Sequence, residues 1–326
     1  MHYESPAPCV FQWRLDIDLQ EDFNSRVYAD LKRVGYMDAD RKLAVFQYYN
    51  LRKRQIEAKP RDVVRSKEFQ CPAGYELALQ EFEEKAKRGD NLIPFQSEKI
   101  KEISYNDMLL NDWGIQHFHL TRRFRADGFA QRSQYQIFAY ITASIVYMIQ
   151  VFPHNAEDLY SRRELVRILR DNWPELMERF HIKGVTGLTE KIDDHGYGEL
   201  RKANITTFLE LGENEVYGMI GGGYASNGYS TEALRNAEYL LNLLSLVQLW
   251  VKDKSDWIGK KINQLTRREE SYCDLQVKLL WIDANEITMC ETNSGLILQS
   301  NIKERWLRIC WPHEVFGYDN LGRLCH

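Results

Sequence analysis

Three short apolar segments, Ile115 to Thr121, Tyr135 to Ile141 and Ile145 to Phe152, constrain this chain more than any other feature of its sequence. Each is strand-sized, each is rich in β-branched or aromatic residues, and the stretches between them read as turns. Consecutive strands joined in this way pair with their neighbours, so the pattern predicts a three-strand antiparallel meander. No apolar run approaches the roughly 18 to 20 residues that cross a bilayer, and no membrane span or membrane partner is expected.

The surrounding pattern mixes helix and strand. Phe11, Trp13, Leu15, Ile17 and Leu19 alternate with mostly polar residues, as a half-buried strand requires. Three- and four-residue spacing predicts helices near 22–34 and 39–58, the second stopped by Pro60, and a third from Ala73 to Arg88. Residues 89–112 read as a loop-rich connection. An Arg-rich helix follows the meander from about Leu159 to Arg170, and Pro174 opens a short one. Gly184, Gly187, Gly196 and Gly198 with Asp193 and Asp194 mark 183–200 as a linker. That places an N-terminal domain over 1–182 and a C-terminal domain over 201–326. In the second, a hairpin around Gly212-Glu213-Asn214 precedes a long helix from Ser230 to about Val251, and strands at Leu275–Ile282, Glu286–Glu291 and Leu296–Gln299 close it. The expected class is α+β, an antiparallel sheet with flanking helices in two domains.

The formal charge is −4, so a polyanion partner is not written into the whole composition. Positive charge is local instead. Between Leu31 and Gln70 there are eleven Lys and Arg against five Asp and Glu, and between Trp113 and His154 four Arg against Asp127 alone. Cys9, Cys71, Cys273, Cys290, Cys310 and Cys325 are scattered without a C-x-x-C pair, which argues against a zinc knuckle and for reduced structural thiols. With no basic, apolar leader at the start, the expected location is cytoplasmic.

The line that carries chemistry is Asp112-Trp113-Gly114-Ile115-Gln116-His117-Phe118-His119-Leu120-Thr121-Arg122-Arg123. Residues two apart on a strand share a face, so His117 and His119 line one surface while Phe118 and Leu120 enter the core. In a meander, Arg132 before the second strand and His154 after the third come to the same end. RNA cleavage without metal needs a base for the 2′-OH, an acid for the departing 5′-oxygen and a cation for the phosphate. Histidine suits the first two and arginine the third. Arg122, Arg123 and Arg125 are further phosphate contacts, and Tyr135, Tyr140, Phe124 and Phe129 are candidates for stacking on bases.

The segment 113–154, with its histidine strand, basic loop, Tyr-Gln-Ile-Phe-Ala strand, closing hairpin and final His154, resembles the sheet core of RelE and YoeB-type ribonuclease toxins. The resemblance covers about 40 residues. It implies a RelE-like sheet, endoribonuclease activity carried by Arg132 and His154, a toxin or antiviral defence role, and a protein inhibitor or antitoxin as partner. No cofactor or metal is expected on this reading.

Other readings stay open. His117 and His119 could be structural, or with His154 hold zinc, with Asp112 the nearest carboxylate. The same basic sheet would also serve a non-catalytic nucleic-acid or protein-binding module. The run Gly221-Gly222-Gly223 leading to Ser230 offers an anion-binding loop at a helix start, although it lacks a Walker lysine. Trp281, Trp306, Trp311, Phe316 and Tyr318 read as core or a partner surface.

Overall fold

The computed structural model describes residues 13–267, 274–283 and 285–316; Phe11, Cys9, Cys273, Cys325, Tyr318 and the side chain of Phe316 lie outside the described residues. The fold is α+β with mostly antiparallel sheets. Among the described residues, no helix is long and apolar enough to cross a membrane. Cys71 and Cys310 are free thiols.

The strands in chain order are β1 (Arg14–Ile17), β2 (Asp62–Arg65), β3 (Ile115–His119), β4 (Tyr135–Ile141), β5 (Ile145–Pro153), β6 (Leu209–Gly212), β7 (Glu215–Tyr217), β8 (Asp274–Ile282), β9 (Glu286–Glu291), β10 (Ile297–Asn301) and β11 (Trp306–Cys310). They fall into two compact units, 1–30 with 238–326, and 31–237. This division differs from the expected one. The N-terminal strand β1 runs parallel to β8, Arg14 opposite Asp274, so the start of the chain belongs with its end. A partner some 260 positions away leaves no trace in a local pattern. The expected linker 183–200 lies inside the larger unit, where Asp193 caps the helix Asp194–Lys202 by accepting the Gly196 N–H at 2.7 Å.

The smaller unit has the sheet order β1-β8-β9-β10-β11. Ile17, Leu244, Val247, Ile258, Leu275, Met289 and Leu298 form its core. Of the late tryptophans, Trp281 is 59% exposed and Trp311 37%, so neither is a core residue.

The larger unit carries the meander as β3, β4 and β5, with β2 added parallel to β5 in the order β2-β5-β4-β3. Both faces of this sheet are covered, which explains its near-continuous apolar strands. On one face Phe118, Leu120, Ile137, Ala139, Val146 and Met148 pack on Ala78, Leu79, Phe82 and Ala86 of the helix Glu76–Arg88. On the other, Ile115, Phe138, Tyr140 and Ile149 meet Leu165, Val166, Ile168 and Leu169 of the helix Glu164–Asn172.

Within the stretch expected as loop, the helix Met108–Trp113 aims the chain into β3 and ends at Gly114, whose φ of 71° is the left-handed cap conformation. Its position is fixed by a buried ion pair. Arg201 donates from Nε to Asp112 Oδ2 at 2.9 Å, bonds the Tyr160 carbonyl and lies 3.9 Å over the Trp113 ring. Asp112 is therefore not a free carboxylate beside the histidines. Burial raises its pKa while Arg201 opposes the shift. Removing the guanidinium alone would strand a buried carboxylate, so Arg201→Ala is expected to cost about 3–5 kcal/mol. The Asp112→Asn/Arg201→Met double variant, which removes both charges, should recover much of that. Urea denaturation checks both, and a single variant as stable as the parent contradicts the assignment.

Candidate active site

Antiparallel pairing places His117 opposite Phe138 and His119 opposite Gln136, and Gln136 in turn opposite Phe152. The end of β3, the start of β4 and the end of β5 thus share one edge of the sheet. His154 follows β5 directly and is tied there, its N–H donating to the Gln134 carbonyl at 2.7 Å. His117, His119, Arg132 and His154 consequently line one cavity of about 1,030 Å³, the convergence expected of them.

The two outer imidazoles lie nearly parallel, their planes 10° apart and their centroids 6.1 Å apart. Arg132 Nη2 stands 3.3 Å from His154 Nδ1. Since guanidinium only donates, that nitrogen accepts, and the neutral ring carries its proton on Nε2. The Ser133 N–H reaches His119 Nδ1 at 3.4 Å and favours the same tautomer there. His117 sits deeper, 5.0 Å from the Tyr160 ring. Its Nδ1 is buried and has no hydrogen-bond partner among the described residues although the residue as a whole is half-buried, which leaves Nε2 as the nitrogen available to the cavity.

Burial pushes the His117 pKa down, with Asp107 opposing. Burial first, then His117, His154 and Arg132, lowers His119 to about 4. Both rings are therefore neutral at pH 7. Acidic and basic groups balance around the wall, with Glu98, Glu102, Asp107, Asp158 and Glu199 against Lys99, Arg125, Arg132, Arg201 and Lys202.

The other expected contacts are distributed differently. Arg122 leaves the cavity to pair with Glu81 at 3.2 Å, and Arg123 is exposed away from it. Arg125 does line the cavity, but Glu98 and Asp127 already hold its guanidinium. Tyr135 lies on the opposite face, because its neighbour Gln136 takes the histidine side; its ring meets Tyr75 at 5.0 Å. Phe124 packs on Phe95 beneath that face. Of the arginines counted in the segment, Arg132 is the one that both lines the cavity and touches a histidine.

The glycine loop does not form an anion site. Gly221, Gly222 and Gly223 spend their N–H groups on the carbonyls of Asp112, Met219 and Asn111 at 2.8, 2.9 and 2.8 Å. Ser230 is fully buried and accepts from Lys53 Nζ at 2.8 Å. Glycine is needed for closeness: a Cβ on Gly221 would stand 2.1 Å from the Leu110 carbonyl oxygen. The loop locks the helix that feeds β3. The zinc alternative likewise finds no ligand set, since among the described residues no three His, Cys, Asp or Glu side chains are grouped to hold a metal ion.

Sequence reasoning missed Gln136, Tyr105 and Tyr160, all in the cavity wall. Strand periodicity could have found Gln136, which shares the face of the histidines opposite it. Tyr160 follows a turn and carries no such signal. No known protein family, curated protein or solved structure matches this chain.

The lowered His119 value has a consequence for stability. A folded-state pKa near 4 against about 6.5 unfolded means that the unfolded chain binds the extra proton, so the contribution is whole above pH 6.5 and is lost as pH falls toward 4. The urea midpoint of the parent should therefore drop more steeply between pH 6.5 and 4 than that of His119→Gln. Parallel curves would contradict the assignment.

Proposed function

We propose that the protein cleaves RNA by proton transfer between imidazoles, without a metal ion. The observation that carries this reading is the parallel His119 and His154 pair, 6.1 Å apart with Arg132 on His154, in the wall of a cavity that His117 also lines. Its likeness in sequence pattern to the ribonuclease toxins points the same way.

The roles follow from which ring nitrogens face the cavity. His117, held neutral by burial, offers Nε2 as the base for the 2′-OH. The 2′-oxygen then attacks phosphorus. Neutral His119 presents its Nε2–H to a non-bridging phosphate oxygen and stabilises the charge that grows there. Arg132 turns from His154 to the phosphate, where its planar fork pairs with two oxygens. This frees His154 Nδ1 to take a proton from solvent before the cleavage step, and the resulting imidazolium gives its Nε2 proton to the leaving 5′-oxygen. The P–O5′ bond breaks, and the products are a 2′,3′-cyclic phosphate and a 5′-hydroxyl. The proton taken by His117 and the one lost by His154 balance over the step.

Purified protein incubated with end-labelled RNA in EDTA should cut it. His117→Ala and His154→Ala should each lower the rate on the order of 10² or more, since each removes one proton-transfer step. RNA that stays intact while binding measurably overturns the reading in favour of a non-catalytic binding module.

A further inference from the structure

The residue facing His119 across the strand pair is Gln136, and it is in an unusual state. It is 1% exposed yet lines the cavity. Its Oε1 accepts the Tyr160 hydroxyl at 2.9 Å, while its amide nitrogen has no acceptor among the described residues. A primary amide carries two donors, and where the wall gives them no protein acceptor a ligand in the cavity can supply one. Tyr160 completes the feature. Its ring rests against His117 on one side and the residue keeps 38% of its surface exposed.

Resting on the RNA-cleaving reading, we propose that Gln136 and Tyr160 form a nucleobase subsite beside the phosphate site, selecting single-stranded RNA at bases with a carbonyl edge, above all uracil, over adenine. The geometry supplies the selection rule. Opposed residues on an antiparallel pair have Cβ atoms roughly 5 Å apart, so a phosphate held at His119 leaves its nucleotide's base within reach of Gln136. Glutamine pairs with adenine bidentately, using its oxygen and its nitrogen together. Here Tyr160 already holds one lone pair of that oxygen, which disfavours the bidentate pair, and the amide's free groups are its two donors. Uracil O2 and O4 accept such donors. Tyr160 lines the same cavity, and its ring offers the base an aromatic partner to stack on.

The test uses 2′-O-methyl tetranucleotides, UUUU and AAAA, whose blocked 2′-oxygen prevents cleavage, with binding read by fluorescence anisotropy. The parent should bind UUUU about tenfold more tightly, in the range of one good base-edge contact. Stacking alone would give the reverse order, because the larger purine stacks better. Tyr160→Phe frees the amide oxygen and should close the gap chiefly by strengthening AAAA. Gln136→Glu replaces the donors with acceptors and should abolish the preference for UUUU. Equal binding of the two oligomers by the parent, or a preference for AAAA, overturns the subsite, and neither result depends on a variant folding. A preference for UUUU from a protein that leaves all-ribo RNA intact keeps the subsite and removes the catalytic reading. Cleavage without base preference does the opposite.

Discussion

The register of β3, β4 and β5 is the constraint on which everything at the cavity depends. His119 opposite Gln136, and Gln136 opposite Phe152, bring an imidazole, an amide and the start of the His154 turn to one edge of one sheet. Side chains alternate with a period of two, so a slip of one residue would exchange His117 and His119 with Phe118 and Leu120. Such a slip is strongly opposed, because the Phe118 and Leu120 face packs on a helix and is fully buried. Hydrophobic packing on one side of β3 thereby fixes the chemistry on the other.

Burial then determines what those side chains can do. The same desolvation that raises Asp112 lowers His117 and His119, and the outcomes differ because Asp112 has Arg201 as a partner while the imidazoles simply lose their protons. Neutral rings act as bases and hydrogen-bond donors. The permanent positive charge in contact with the histidine pair is Arg132, which stands against His154. Arg201 in turn anchors the helix that delivers β3, so a structural ion pair and the candidate site share one support.

Much of this was legible in the sequence. The strand-sized segments, the two-residue spacing of His117 and His119, and the positions of Arg132 and His154 at strand ends foretold the meander and the meeting of those four side chains. Period-two reasoning also shows why Tyr135 had to turn away from them. The rest depended on contacts far apart in the chain. Arg122 is drawn off by Glu81, and Gly221 and Gly223 spend their N–H groups on carbonyls of the 108–113 helix. The parallel pairing of β1 with β8 joins the two ends of the chain, and no local pattern signals that. Residues 183–200 looked like a linker by composition, yet a capped helix there supplies Arg201.

The central claim is that a neighbouring 2′-hydroxyl is the nucleophile, with imidazoles handling both protons. The most direct measurement compares an RNA oligomer cut by the protein with the same oligomer carrying a single 2′-deoxy substitution at the nucleotide 5′ to the scissile bond. The first should yield a 2′,3′-cyclic phosphate end, and the second should stay uncut at that bond. Equal cleavage of both oligomers would contradict the claim.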